Sequence, residues 1–268
     1  MNAVKDAREL WRLMFEDGQH FLKTTILKLE KDGNHPAEYE DATAVKHVQT
    51  GLRLALADGA TAAIFAGAWA QMLVGRFVWR PFWTTAGLAY PVRTLGRQWS
   101  QKHAQKDLPW YLARKLERGA AATLIGVRIS VPQRRTAAGT WRAISIGDAC
   151  LFHIQGSKLL QMHPELKPAE FGNNPALIYT DTSRNQRSAQ GPAVQAGSWH
   201  RGDIFMVVSD SLARWILLSI DGGQREWEGL LALAGNADRE AAFRSWARHE
   251  QGNGRLKNDD LTMVLCMS

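Results

Sequence analysis

The chain has 268 residues, 45% hydrophobic and 22% charged, with a formal net charge of +7. That composition fits a globular protein able to bury a sizeable core and excludes a disordered or fibrous chain. Two cysteines, Cys150 and Cys266, exclude a disulfide framework and a cysteine-based metal site, and the longest uncharged stretch, Gly59 to Gly75, is short and weak for a membrane span.

The first 20 residues mix acids and bases and lack an apolar signal core, so the chain is expected in the cytoplasm, with residues 1–20 as an N-terminal helical extension (helix over 3–17). "FLKTTILKLE" (21–30) has the β-branched content of a strand, and "DGNHPAEYED" (32–41) is a loop of turn formers. "ATAVKHV" and "LRLALA" read as two strands joined near Thr50-Gly51. The second ends abruptly at Asp58-Gly59, which by itself reads first as a frequent turn pair and second as a carboxylate held at a strand tip. Residues 60–80 predict a helix closed or interrupted by Pro81, and residues 92–118 predict helix with a break at "DLPW". Three strand candidates follow at hairpin spacing, 121–131, 139–147 and 149–155. Residues 163–202 are rich in Gly, Pro, Asn and Ser and predict an irregular, flap-like excursion. "DIFMVVSD" (203–210) is a buried strand ending in an acid, helices fill 211–250, and "LTMVLCM" (261–267) closes the chain as a strand. Short turns between the middle strands argue for antiparallel sheets with added helices, in one domain over 1–268.

The excess of Lys and Arg is scattered, with only short clusters at 114–118 and 133–135, so it reads as a solvated basic face and not as a nucleic-acid groove. The 11 tryptophans do not alternate with basic residues in one loop, so they read as packing residues.

Asp58 is one of several acids at strand tips. Glu40 and Asp41 precede an early strand, Asp148 and Asp210 each follow one, and Asp259 and Asp260 precede the last. Sheets that bring these ends together would make a carboxylate cluster, which repulsion and desolvation oppose. A hard divalent cation, Mg²⁺ or Mn²⁺, relieves both in an all-oxygen site.

With "EYEDA", "ADGAT", "AATLIGVRI", "WRAISIGDACLFHI", "GDIFMVVSDSLARWIL" and "NDDLTMVL" in that order over residues 38–267, the chain resembles the protein phosphatase 2C-like, metal-dependent Ser/Thr phosphatases, as a divergent bacterial-type member. The resemblance implies an α+β fold, a four-layer αββα sandwich of two antiparallel β-sheets flanked by helices. It implies two Mn²⁺ or Mg²⁺ ions and a third, weaker site. Glu40 and the Gly59 carbonyl would hold one ion, Asp58 would bridge both, and Asp210 and Asp259 would hold the other. Asp148 would help Asp210 with the third, and Asp41 would orient a water. The reaction implied is hydrolysis of phosphoserine or phosphothreonine in a phosphoprotein, countering a Ser/Thr kinase, with no nucleic acid or membrane partner.

The chain departs from the family pattern at Ala60, where some members carry a histidine, leaving His35 as a weak general-acid candidate. It has Ser211 in place of a glycine, and Pro36 where a phosphate-binding arginine is expected, with Lys31 or Lys28 as replacement. The alternative reading is a catalytically weak or inactive phosphatase-like module that binds a partner.

Overall fold

The computed structural model describes residues 22–61, 63–104, 109–132, 138–172, 174–187 and 191–268. The N-terminal helix expected over 3–17 lies outside them. Two five-stranded sheets dominate. The first runs in the order β1 (Lys23–Leu29), β12 (Leu261–Met267), β11 (Asp203–Val208), β7 (Cys150–Gln155) and β8 (Lys158–His163). The second runs β10 (Ala193–Trp199), β6 (Gly139–Ile146), β5 (Leu124–Ser130), β3 (Gly51–Ala57) and β2 (Ala42–Val48). Every pairing in both is antiparallel. A two-residue pair, β4 (Ala121–Ala122) with β9 (Ile178–Tyr179), stands apart.

The side-chain period of two sorts each strand into faces. Leu52, Leu54 and Leu56 of β3 with Ile125, Val127 and Ile129 of β5 face inward and meet Phe205, Val207, Val264 and Cys266 of the first sheet. The other face of the second sheet, with Ala55, Ala57, Leu124 and Ile144, carries Trp69, Leu73, Phe77 and Trp99 of helices α1 (Ala66–Trp79) and α2 (Thr85–Ala104). The outer face of the first sheet, with Met206, Val208, Met263 and Leu265, is covered by α5 (Asp210–Asp221), α6 (Glu228–Ala234) and α7 (Arg239–Gly252) through Leu212, Ile216, Leu230 and Phe243. The result is the four-layer αββα sandwich. Strands β11 and β12 are buried along their whole length because both of their faces are covered, which is why they read as unbroken apolar runs.

Two expectations are corrected. The excursion over 163–202 is not irregular throughout. Residues 193–199 form β10, paired with β6 at the sheet edge. An edge strand half in solvent accepts Gln195, Gly197 and Ser198, so its composition hides it. The helix expected over 92–118 begins earlier, at Thr85; it ends at Ala104, and α3 (Trp110–Glu117) starts at the tryptophan of the expected break at "DLPW", while α4 (Thr182–Arg187) lies within the excursion.

The sandwich brings particular strand ends to one edge. The C-terminal ends of β3, β6 and β11 and the N-terminal end of β12 open there on one cleft, and the N-terminal end of β2 lies beside the end of β3.

Candidate metal centre

Asp58 leaves β3 into a turn pinned on both sides. Its N–H donates to Thr123 Oγ1 at 3.1 Å, and the Thr123 N–H donates back to the Asp58 carbonyl at 2.9 Å. Gly59 pairs with Ala122. A Cβ on Gly59 would stand 2.9 Å from the Glu40 carbonyl oxygen and 2.9 Å from the Ala66 carbonyl carbon, so only glycine lets the Glu40 backbone and the start of α1 close on this turn. Gly147 has φ +105°, and a Cβ there would meet Thr123 at 2.5 Å, so glycine also sets the turn that delivers Asp148.

The acids converge on Asp58. Burial pushes its carboxyl well above the ordinary range, and the charges of Asp41, Asp210, Asp259 and Asp148 push the same way. Asp41 is also raised, by burial first, against a 2.5 Å hydrogen bond donated by Thr262 Oγ1 to its Oδ2. Its Oδ1 is buried with no donor at hydrogen-bond distance, although the Asp58 carboxyl interacts with the Asp41 carboxyl and draws its pKa partly back down. Burial and then the Asp210 charge lift Asp148 to about 7. Glu40 also reaches about 7, through burial, partly opposed by a hydrogen bond with Thr61. Asp210 opens α5, where Ser211 donates to its Oδ1 from N–H at 2.6 Å and from Oγ at 3.1 Å. Ser211 sits inside the helix at ordinary negative φ, so the serine in the place of the family's glycine adds no backbone strain.

Asp259 and Asp260 part company. Asp259 lines the cleft, whereas Asp260 accepts the Glu40 N–H at 2.7 Å and the Lys31 N–H at 2.9 Å, clamping the 31–40 loop to β12. Lys31 thus meets Asp260 through its backbone. His35 is exposed, and its Nδ1 accepts the Ala37 N–H in the short 3-10 turn Pro36–Glu38, so its ring is spent on a cap.

A cation that sequence reasoning missed sits among the acids. Lys257 Nζ lies 2.6 Å from Asp259 Oδ2 and 4.0 Å from Asp210 Oδ2. Burial works against its charge, but Asp259, Asp210 and Asp58 outweigh burial and raise its pKa. Its place two residues before Asp259 was the only signal in the sequence. Among the described residues, no three acid, histidine or cysteine side chains are gathered so as to hold a metal ion as they stand. The donor chemistry nevertheless fits a hard divalent cation. The donors are all oxygens, they repel one another, and one buried Asp41 oxygen lacks a hydrogen-bond donor.

The cleft, about 530 Å³, has Asp58, Asp148, Asp210 and Asp259 on one side. Lys115, Arg118 and Arg184 line it as well. The Arg184 guanidinium lies over the Tyr179 ring at 3.7 Å and donates to the Arg118 carbonyl at 3.4 Å. Sequence reasoning assigned Lys115 and Arg118 to a solvated basic cluster and Arg184 to the excursion. The Trp69 indole fastens this wall to α1 by donating to the Ile178 carbonyl at 2.8 Å. Both cysteines are free and buried, and burial pushes both thiols up, so neither is a nucleophile.

No family profile matches the sequence, and no curated protein matches it. Solved structures do match the fold. The serine/threonine phosphatase Stp1 from Staphylococcus aureus aligns with a TM-score of 0.57 at 16% identity, covering 94% of this chain and 99% of that one. The catalytic domain of the serine threonine protein phosphatase PstP, in complex with 2 manganese ions, aligns with a TM-score of 0.54 at 18% identity over 92% of this chain and 97% of that one. PppA, a regulatory component of T6SS in Pseudomonas aeruginosa, aligns with a TM-score of 0.52 at 14% identity over 92% and 97%. At these identities the likeness establishes the fold, which is phosphatase 2C-like over nearly the full chain.

Proposed function

We propose that this chain, built on the αββα fold of the phosphatase 2C-like enzymes, is a metal-dependent phosphoprotein phosphatase acting on phosphoserine or phosphothreonine. The observation that carries the reading is the convergence of Asp148, Asp210 and Asp259 on Asp58, from separate strand ends, in a cleft that also holds guanidinium groups, with Asp41 buried behind Asp58.

Glu40, Asp58 and the Gly59 carbonyl are assigned to one Mn²⁺ or Mg²⁺ ion, and Asp58, Asp210 and Asp259 to a second. Asp148 with Asp210 is assigned to a third, weaker one. When bound, such ions neutralise phosphate oxygens and acidify a water for in-line attack. The chain's own residues do the remaining work. Asp58, central to the acid cluster, would be the carboxylate shared by both ions. Asp41 is anchored by Thr262 at Oδ2, which leaves Oδ1 to orient the attacking water. Arg118 and Arg184 present forks that match a phosphate monoester, a role the sequence had offered to Lys31. The wall at 174–184 contacts the peptide around the phosphorylated residue.

The physiological substrate is then a phosphoprotein whose kinase this enzyme opposes. The cytoplasmic location read from the sequence belongs to this proposal; no helix among the described residues is long and apolar enough to cross a membrane. One observation favours a second reading, a phosphatase-like binding module. Lys257 already pairs with two of the assigned ligands. Hydrolysis of an aryl phosphate and of phosphoserine peptides, titrated with Mn²⁺, separates the two. Metal-dependent turnover lost in Asp58→Asn supports the enzyme. Full turnover by metal-free protein in chelator would overturn the metal mechanism, and no turnover at any Mn²⁺ concentration leaves the binding module.

A further inference from the structure

The outer face of the second sheet carries a row of cations set by strand register. Lys46 of β2 lies opposite Arg53 of β3, Arg53 opposite Arg128 of β5, and Arg128 opposite Arg142 of β6. At about 4.8 Å between strands the row spans roughly 14 Å. Like charges placed directly opposite across strands destabilise a sheet. Elsewhere the chain relieves its cations: Arg244 meets Glu30, Arg248 meets Asp32, and Arg255 meets Glu226 and Glu250. Among the described residues, none of the four cations in the row lies within 4.0 Å of a carboxylate.

Half of the row is occupied by neutral groups. Arg53 donates to the carbonyls of Val78 and Trp79 at the end of α1, at 3.2 and 2.9 Å, and Lys46 lies over the Trp79 ring. The other half opens onto a cleft of about 420 Å³ lined by Trp83, Arg128, Ser130, Thr140, Arg142 and Ala196. Arg142 rests on the Trp83 ring at 4.8 Å, which aims its guanidinium. Arg128 leaves a buried Nε–H with no acceptor. Opposite Arg142 the edge strand supplies only the methyl of Ala196 on this face, so the space over the arginines is unfilled.

We propose that this cleft is a second, non-catalytic anion site that takes a compact oligophosphate, held by Arg128 and Arg142 with Ser130 and Thr140 donating hydroxyl hydrogen bonds. Guanidinium forks bind phosphate in two-pronged fashion, and two forks on neighbouring strands suit an anion with more than one phosphate. The site is distinct from the acid centre. The two clefts share no lining residue, and Arg142 and Asp148 lie six residues apart along the chain at the end of β6.

The test is calorimetric titration of the full chain, in chelator, with tripolyphosphate, with ATP and with an acidic phosphoserine peptide. In an Arg118→Ala/Arg184→Ala background, which removes the forks assigned to the other cleft, the expected result is one tripolyphosphate per chain, at least tenfold weaker binding on adding Arg142→Gln and no detectable binding on adding Arg128→Gln and Arg142→Gln together. Asp58→Asn should bind as the parent does, which keeps this test independent of the phosphatase reading. Arg142 is exposed, so its variant probes the site without touching the core. Arg128→Lys keeps the charge but removes the fork, and it should lose binding as well. ATP binding more tightly than tripolyphosphate assigns a nucleotide, and equal or weaker binding assigns the phosphate chain alone. No tripolyphosphate binding at millimolar concentration, or binding unchanged on adding Arg128→Gln and Arg142→Gln together, overturns the proposal. Tighter binding of the peptide through the same arginines also overturns it and makes this a protein-docking face.

Discussion

The same two strands, β3 and β6, carry opposite charge problems at different places along their length. At one end lie Asp58 and Asp148; further back lie Arg53 and Arg142. The acids are sunk in a cleft and drawn from several strand ends, so burial and mutual repulsion both raise their affinity for protons. The cations sit on the outer face of their sheet, one per strand, with Arg142 exposed and Lys46, Arg53 and Arg128 half-buried, so solvent relieves part of their repulsion and neutral groups the rest. Charge buried by topology demands a counter-ion of matching strength, and Lys257 already answers part of that demand. Charge aligned by register at a surface can stand alone, and it stays available to a ligand.

The largest expected effect tests the acid side. Asp58→Asn should bring metal-dependent activity to background, a loss of more than about 100-fold that added Mn²⁺ does not restore, while Asp148→Asn should lose about 10-fold or need more metal. Metal titration of activity, with folding checked by circular dichroism, reads both. Folded Asp58→Asn with parental activity would dissolve the acid centre as assigned.

A second effect is on stability against pH. Glu40 and Asp148 are raised to about 7, above ordinary carboxyl values. The folded, metal-free chain therefore binds more protons than the unfolded chain between roughly pH 4 and 7. Its stability should fall as pH rises through that window, by a few kcal/mol (an order-of-magnitude figure), and Mn²⁺ should raise Tm most at and above pH 7. Thermal melts in chelator and in Mn²⁺ across pH 5–8 check this. Flat curves would mean that the acids carry no such strain.

A smaller effect sharpens the role of Lys257. Lys257→Met should tighten Mn²⁺ binding by several-fold, on the order of 1 kcal/mol, because the metal no longer displaces an ammonium from Asp259. Calorimetric Mn²⁺ titration shows the direction, and weakened binding would make Lys257 a support for the site. Arg118→Ala and Arg184→Ala should raise KM for phosphopeptides by about tenfold with a lesser change in kcat. Steady-state kinetics at saturating Mn²⁺ separate the two constants. Smallest of all, Asp260→Asn should keep most of its activity and lose about 1 kcal/mol of stability by loosening the Lys31 and Glu40 clamp, as denaturant unfolding would show. A dead Asp260→Asn beside an active Asp259→Asn would shift the ligand assignment by one residue.

Much of this was legible along the chain. Alternating runs such as Leu52–Leu56 and short turns between strands pointed to antiparallel sheets, and apolar strands ending in acids marked where chemistry could lie. Those signals are local, since a strand's period of two and an acid at its tip are written in a few consecutive residues. Strand β10 escaped because an edge strand tolerates Gln, Gly and Ser. Lys115, Arg118 and Arg184 read as ordinary solvated cations, because nothing within a few residues of them tells which wall they will face.

What the sequence determined by itself was the sheet class and the set of acids available at strand ends. Which of those acids meet was decided only by the tertiary structure. Asp259 turns into the cleft while its neighbour Asp260 clamps a loop more than 200 residues away in the chain. The row from Lys46 to Arg142 was likewise invisible, because four single cations in four strands align only once register is set. A slip of one residue in any pairing would turn that strand's side chains to the opposite face. Burial of the inner leucines and valines fixes register, and the placement of charge follows from it.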